Sequence, residues 1–418
     1  MHSHSYLNTA KSIIQSYDGT MPFTLWLKQF FRAHKKFGSK DRKHISHACY
    51  CFYRLGNAFQ NAHIEDRFLT ALFLCSDSPN KILEELKPGW NKIISLPVLE
   101  KIKHLSAKVE IPPIFPFSNE ISNEIDPEQF NLSFLVQPDL FLRSRPGKQE
   151  KIVQQLQQAG IAFTLLDADC IQLSNQSKID EILNIDEDVV IQDYNSQKTI
   201  DLLIKSNPIP IAIGTNSKLE TQNSKLKTQN SKLKTQNLIA TGIQLSTWDC
   251  CAGSGGKSIL FHDHFPNAAL TVSDVRETIL INLQKRFKRA GIKNYQSFVA
   301  DVSSPQFSAQ RKYDLIICDA PCSGSGTWSR TPEQLAFFKN EKIEHYSNLQ
   351  KRIISNASKA LKQTGSLLYI TCSVFKKENE EVVEFIKNNL PLQLQSMEYL
   401  KGYNKKADTL FTALFSAL

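Results

Sequence analysis

Three stretches of the chain combine residue types that could do chemistry with a spacing that would let them act together. The stretch Ile316 to Trp328 reads I-I-C-D-A-P-C-S-G-S-G-T-W, in which two apolar residues end a strand and Asp319 and Cys322 follow at its tip. Further on, Tyr369-Ile-Thr-Cys372-Ser373 sets another thiol at the end of another apolar run. Earlier, Asp249-Cys-Cys-Ala-Gly-Ser-Gly-Gly-Lys257 opens directly into a helical pattern. Its glycines let the backbone approach a ligand closely, and the free amide N–H groups of a helix start favour a carboxylate or phosphate. The loop is neither G-x-x-x-x-G-K-[ST] nor a regular G-x-G-x-x-G, which weakens triphosphate and dinucleotide readings. Asp274 and Asp301 then close the next two strand patterns. The first can accept ribose hydroxyls, and the second falls within reach of an adenine amino group. The loop residues Cys251, Ala252, Gly253, Ser254, Gly255, Gly256 and Lys257, with Asp274, Asp301 and Asp319, thus describe a seat for a nucleoside that carries a small anionic group. S-adenosyl-L-methionine fits that description. Taken singly, each aspartate is as readily a cap or turn residue, and Cys322 a small buried hydrophobe; their succession at neighbouring tips argues for a site.

The elements that must position these residues follow from periodicity. From Gln244 onward strands alternate with helices, the pattern of a doubly wound parallel sheet. Strands are expected over Gln244 to Cys250, Ala269 to Ser273, Ser297 to Ala300, Tyr313 to Cys318, Ser366 to Thr371 and Thr409 to Phe415. In such sheets a ligand lies beyond the carboxyl ends of the strands, where the thiols and carboxylates fall. Tyr6 to about Val109 reads as helical throughout, and prolines 112, 113 and 116 mark a linker. Strand signals at Ser133 to Leu135, Leu140 to Arg145, Ile161 to Leu166, Cys170 to Leu173 and Val189 to Asp193, with a helix from Lys148 to Ala159, describe a small α/β module. The expected organisation is an all-α domain (1–125), the α/β module (126–212), an insertion (213–240) and the doubly wound domain (241–418). Within the insertion, Asn216 to Asn237 repeats N-S-K-L-[EK]-T-Q with a period of seven. One apolar position per heptad is too few for a coiled coil, so the repeat reads as a solvated insertion.

Charge is distributed unevenly. Residues 1 to 54 hold nine Lys/Arg against two Asp/Glu, and residues 213 to 240 hold five against one; these balances, +7 and +4, exceed the whole-chain +9, so the rest of the chain sums to about −2. A local basic excess suits a polyanion such as RNA. Lys28, Arg32, Lys35, Lys36 and Arg42, interleaved with Trp26, Phe30, Phe31 and Tyr53, could grip an RNA backbone; equally, the aromatics could be core and the cations their cover. Arg143, Arg145 and Arg330 are further RNA-contact candidates. Nine scattered cysteines show no paired metal-ligand spacing, and no metal is expected. With neither a signal-like start nor a long apolar run, a cytoplasmic monomer with no membrane contact is expected.

Together these motifs closely resemble the bacterial small-subunit rRNA cytosine-5 methyltransferase family (the RsmB/Sun/Fmu group). The resemblance rests on Asp249 to Lys257, on Asp319-Ala-Pro-Cys322-Ser-Gly-Ser-Gly, and on Thr371-Cys372-Ser373 followed by Glu378-Asn-Glu380. Arg330, Gln350 and Asp408 to Leu414 also match. Gly38-Ser-Lys-Asp41-Arg42 and Tyr53-Arg54 resemble the NusB-like RNA-binding domain attached to those enzymes. The family has Ala-Pro where this chain has Gly253-Ser254. The resemblance implies a Rossmann-like S-adenosylmethionine-dependent methyltransferase domain preceded by an all-α NusB-like domain and a small α/β RNA-binding module. It also implies formation of 5-methylcytosine, with small-subunit (16S) rRNA as the expected substrate. In its terms Cys372 attacks carbon 6 of cytosine, Cys322 assists release and Asp319 holds the base, with the Ser323 to Gly326 loop leaving room for a flipped cytosine. A tRNA substrate, or a non-catalytic RNA-binding assembly factor, stand as alternatives.

Overall fold

The computed structural model describes residues 2–105, 112–206 and 244–418; the expected insertion at 213–240 and its repeat lie outside the described residues. The chain divides into two compact units. One holds Met1–Pro138, Gly324–Lys342 and Tyr403–Lys406; the other holds Asp139–Ser323, Ile343–Gly402 and Ala407–Leu418.

The first unit is helical. Its helices include α1 (Ser3–Ser16), α2 (Phe23–Ala33), α3 (Ser39–Arg54) and α4 (Ile64–Cys75). In α3, Ile45, Ala48, Cys49 and Phe52 recur at helical spacing and are all buried. Asp41 reaches back to accept a hydrogen bond from the Gly38 amide (3.1 Å), which starts the helix at Ser39. The strand expected at Ser133 to Leu135 is instead the end of a helix, Pro127–Ser133. Asp126 caps it by accepting from Glu128 N and Gln129 N, both at 3.0 Å, and Pro127 occupies its first turn. This local capping outweighs the short apolar run. The carbonyls beyond the helix, Phe134 O and Val136 O, accept from the buried Arg54 guanidinium. The excursion Gly324–Lys342 also packs here. Trp328 is fully buried against Phe338 and Phe115, and Phe337 meets Tyr17 edge-on at 5.1 Å.

The second unit contains two sheets. The smaller is antiparallel, in the order β2-β3-β1-β4, from β1 (Leu140–Ser144), β2 (Phe163–Leu165), β3 (Cys170–Leu173) and β4 (Val189–Ile191). The helix Gln149–Gln158 packs Ile152 and Leu156 onto Leu142, Ile171 and Val189. The larger sheet is built from β5 (Ser246–Asp249), β6 (Ala269–Asp274), β7 (Tyr295–Val299), β8 (Tyr313–Asp319), β9 (Leu361–Thr371), β10 (Leu392–Leu400) and β11 (Leu410–Ala417). Its order is β10-β11-β9-β8-β5-β6-β7, with β9 to β7 parallel and β11 antiparallel to both its neighbours. Alternation along each strand divides its side chains between two faces. Leu315 and Ile317 of β8 join Leu368 and Ile370 of β9 under the helices Gly256–His264 and Glu277–Arg289. Ile316 and Cys318 join Leu367 and Tyr369 under Glu341–Ser358 and Glu380–Asn389. Both faces are thus covered, which is why these strands read as continuous apolar runs. β10 carries no clean alternating signal because a register shift between Leu394 and Ser396 interrupts it.

Candidate active site at the strand tips

From β5 the chain winds outward through β6 to β7, then returns to β8 on the other side of β5 and continues to β9. The winding direction therefore reverses between β5 and β8, where ligands of doubly wound sheets bind. Across the sheet, the tips present Cys372 after β9, Asp319 and Cys322 after β8, the glycine loop after β5, Asp274 at the end of β6 and Asp301 after β7. Thiols lie to one side of the reversal, and the carboxylates of Asp274 and Asp301 to the other. At the middle, Lys257 Nζ donates to Asp319 Oδ2 at 2.7 Å. Burial lowers the Lys257 pKa, but the Asp319 carboxylate more than compensates and the net shift is upward.

The glycine loop is shaped by backbone conformation. Gly255 has φ +84°, and a Cβ there would come within 2.9 Å of Leu283 and Phe287, so only glycine lets the helix Gly256–His264 start this close to Glu277–Arg289. At Gly253 (φ +53°) an added Cβ would meet open space, so the loop's outer side is free for a ligand. The cofactor contact expected of Ala252 is not one that its side chain makes from where it lies. Its side chain is buried in the core beneath the helix Gly256–His264. Its backbone is engaged within the protein as well: Ala252 N donates to Ser273 O and Ala252 O accepts from Gly255 N, both at 2.9 Å. An apolar side chain that size is worth more packed in the core than turned to a polar ligand. Ala252 therefore pins the loop to β6 and closes its turn. Ser254 accepts from the Arg286 guanidinium through both its carbonyl (3.1 Å) and its Oγ (3.2 Å).

The Gly253 amide donates to Asp274 Oδ2 at 3.0 Å. Asp274 also accepts from the Arg276 guanidinium, at 2.9 and 3.1 Å. Burial raises its pKa, yet these hydrogen bonds outweigh that and hold the carboxyl below the usual aspartate range, hence ionised at neutral pH. Asp301 is exposed and accepts from Ser303 N and Oγ in a turn. Sequence alone does not mark Asp249 as a cofactor residue. It is fully buried, accepts from Ser258 Oγ at 2.6 Å, and its Oδ1 has no hydrogen-bond partner. Burial pushes its pKa up to about 7. An open glycine loop, an ionised acid at the β6 tip and an orphaned carboxylate oxygen fit S-adenosylmethionine: Asp274 suits the ribose, Asp249 and the loop amides the methionine end. Asp274→Ala should weaken cofactor binding by about 10- to 100-fold, the cost of removing charged hydrogen bonds. Calorimetric titration checks this, and unchanged affinity would remove Asp274 from the cofactor site.

On the other side, Cys322 Sγ and Cys372 Sγ are 3.3 Å apart, and both are unpaired half-buried thiols. The Cys322 pKa is raised well above the ordinary cysteine value, first by the Cys372 contact and then by burial. Two loops carry these sulfurs, and Glu378 holds the loops together. Its Oε2 accepts from Ser323 N (2.8 Å) and from Gln350 Nε2 (3.0 Å), while its Oε1 accepts from Ser373 Oγ (2.8 Å). Gln350 also donates to Pro321 O, on the loop of the first thiol. Asn379 fixes the second loop, accepting from Thr371 Oγ1 at 2.6 Å and donating to Ser373 O at 2.8 Å. Burial raises the Glu378 pKa. The sequence signal for this clamp is Glu378-Asn-Glu380, but its partners are loops distant in sequence. Glu378→Ala should reduce turnover at saturating substrates by about 10²-fold, the scale of an ångström-sized misplacement, without changing cofactor affinity. Steady-state kinetics test it, and unchanged turnover would show that the thiols are positioned without the clamp.

The expected RNA contacts fall into two groups. In the helical unit, Lys28, Arg32, Lys35 and Lys36 are exposed. Lys28 and Arg32 line a cavity of about 410 Å³ with Arg42, Lys43, Phe31 and Tyr50. Arg42 donates from Nε to Phe37 O. Phe31 and Tyr53 belong to the core, whereas Trp26 and Phe30 stack on one another at 5.5 Å and stay partly exposed. Arg330 is half-buried in the excursion that packs with this unit. In the second unit, Arg143 and Arg145 correct the expectation. Their side chains are only 5% and 12% exposed, and both pair with Asp263 at 2.6 Å. Arg145 also donates to Ala290 O and Asp186 O. They join the small sheet to the large one and are not free for a phosphate. Of the Ser323 to Gly326 loop, Ser325 and Gly326 are buried and give no room for a base, whereas Ser323 and Gly324 are half-buried.

The second unit's covered parallel sheet, with its glycine loop and strand-end acids at the reversal point, defines a Rossmann-like domain. Residues 243–412 match the family described as 16S rRNA methyltransferase RsmB/F. Among curated relatives, the ribosomal RNA small subunit methyltransferase B of Citrobacter koseri is 31% identical over 140 residues, 33% of each chain. That of Shewanella oneidensis is 30% identical over 150 residues, 36% of this chain and 35% of the relative. The chain thus spans about a third of the length of the curated relatives it matches. The solved structure of PH0851 superposes with a TM-score of 0.65 at 17% identity, covering 94% of each chain. A methyltransferase homologue from Pyrococcus horikoshii superposes at 0.53 and 18% identity, covering 77% of this chain and 98% of that one. These two likenesses bear on the fold. Among the described residues, no helix is long and apolar enough to cross a membrane.

Proposed function

We propose that the chain is an S-adenosylmethionine-dependent RNA methyltransferase that forms 5-methylcytosine in small-subunit rRNA. The observation that carries this reading is the contact between Cys322 and Cys372 beside the Lys257–Asp319 pair. A methyltransferase acting on a nitrogen or oxygen atom needs no sulfur nucleophile, whereas carbon 5 of cytosine becomes nucleophilic only after a thiolate adds to carbon 6. Cys372 forms that bond, and the electron pair of the 5,6 double bond becomes available at carbon 5. Asp319 holds the base near ring nitrogen 3 and the exocyclic amine, and Lys257 keeps the Asp319 carboxylate oriented. S-adenosylmethionine, when bound, supplies the methyl group as a sulfonium electrophile. Cys322, having lost its own proton to solvent once Cys372 is bonded to carbon, takes the carbon 5 proton as a thiolate; the pair left behind restores the double bond, and Cys372 departs as thiolate.

The basic face of the helical unit, with Lys28, Arg32, Lys35, Lys36 and Arg42, serves RNA binding. Replacing Lys28 and Arg32 together by alanine should weaken RNA binding and reduce the slope of log affinity against log salt by about 1.8, the effect of losing two phosphate contacts. Filter binding over a salt series measures it, and an unchanged slope would place RNA elsewhere. The function itself is tested by incubating the purified chain with small-subunit rRNA and methyl-labelled cofactor, then digesting the RNA to nucleosides. Label is expected in 5-methylcytidine; label in any other nucleoside overturns the assignment.

A further inference from the structure

Three more thiols lie at the foot of the glycine loop, outside the reacting pair. Cys250 and Cys251 follow the end of β5, and Cys318 is the penultimate residue of β8. Strand pairing puts Trp248 beside Ile316 and Asp249 beside Ile317, so these tips are adjacent. The three sulfur atoms lie within 4.8 Å of one another. Cys250 and Cys318 are 1% and 0% exposed, whereas Cys251 is partly open. Adjacent cysteines and a single distant one carry no recognisable ligand spacing, which is why the sequence gives no expectation of a metal. The fold makes the triangle by pairing β5 with β8.

We propose that Cys250, Cys251 and Cys318 form a three-sulfur site for a thiophilic d10 divalent cation, zinc in the cell and cadmium as its experimental surrogate. A zinc ion bonded to three thiolates at about 2.3 Å in a plane spaces the sulfurs about 4.0 Å apart. That lies inside the observed limit, so sub-ångström movement closes the site. A hard cation is disfavoured because calcium and magnesium take oxygen ligands. Binding converts up to three thiols to thiolates and releases their protons to solvent; no electron is transferred. Three thiolates and a divalent ion leave a net charge of −1, less costly to bury than the −2 left by a monovalent ion. Entry is from the Cys251 side, where a water can complete the coordination. The bound ion ties the loop after β5 to the tip of β8. The proposal does not rest on the methyl-transfer reading.

The test uses the full chain, stripped with a chelator and kept reduced by a sulfur-free reductant, and titrated with cadmium in the presence of a competing chelator. A variant with both Cys322→Ser and Cys372→Ser removes the neighbouring strand-tip thiol pair. It should still bind one tight equivalent of cadmium and gain the ultraviolet thiolate-to-cadmium absorption. X-ray absorption on that complex should count three sulfur neighbours. Adding Cys318→Val should weaken the site by at least about 100-fold, and Cys250→Ala should do the same. Absence of a tight site in the parent variant overturns the proposal. So does a count below three sulfurs, which needs no substitution in the core and therefore decides the matter if the core variants fail to fold.

Discussion

Replacing Cys372 with alanine is expected to lower methyl transfer by roughly 10⁴- to 10⁶-fold, the scale on which removal of a covalent nucleophile acts. S-adenosylmethionine binding should stay unchanged. The separation follows from the sheet. Cys372 lies beyond β9, while the glycine loop and Asp274 follow β5 and β6 on the other side of β8. Deleting one sulfur from a half-buried position opens little space, and the loop remains tied by Asn379 to Thr371 and Ser373. Substantial residual turnover in a labelled-methyl assay would show that Cys372 is not the nucleophile. Turnover lost together with cofactor affinity would point to collapse of the site.

The Cys322→Ala variant should instead trap its substrate: a protein–RNA adduct that survives denaturing electrophoresis is expected, with multiple turnover abolished. The 3.3 Å contact explains the division of labour. In the free site Cys372 is the leading cause of the raised Cys322 pKa, with burial second. Once Cys372 is bonded to carbon 6 it is no longer an ionisable thiol, and that leading cause disappears. Cys322 then ionises more easily at the step where a base is needed. Without it the carbon 5 proton stays and the sulfur–carbon bond cannot be released. If no adduct forms with Cys322→Ala, while adding Cys372→Ala changes nothing further, the release role is wrong.

The strand-tip motifs are legible in the sequence because each is local, with an apolar run ending in a carboxylate or thiol. Parallel sheet geometry then brings successive tips to one edge without further information. Partners chosen across the chain are not legible. Arg143 and Arg145 look like surface cations, but Asp263 on a helix of the larger sheet takes both into the interior. Ala252 sits in the middle of the loop motif, yet the fold turns its methyl group into the core. The Ser323 to Gly326 loop looks open because it is rich in glycine and serine. It leads into Gly324–Lys342, whose Trp328 and Phe337 pack with the helical unit. Asp249 resembles the last residue of a strand, and only burial with an unpartnered oxygen marks it out. The sulfur triangle of Cys250, Cys251 and Cys318 depends on which strand pairs with which.

Formation of 5-methylcytosine in small-subunit rRNA is what we propose for this chain. Bisulfite mapping of rRNA and tRNA from a strain lacking it tests that claim most directly. One protected cytosine in small-subunit rRNA should become convertible, with protection restored by the intact chain and not by the Cys372→Ala variant. Unchanged protection throughout small-subunit rRNA, or loss of a protected cytosine in tRNA alone, would contradict it.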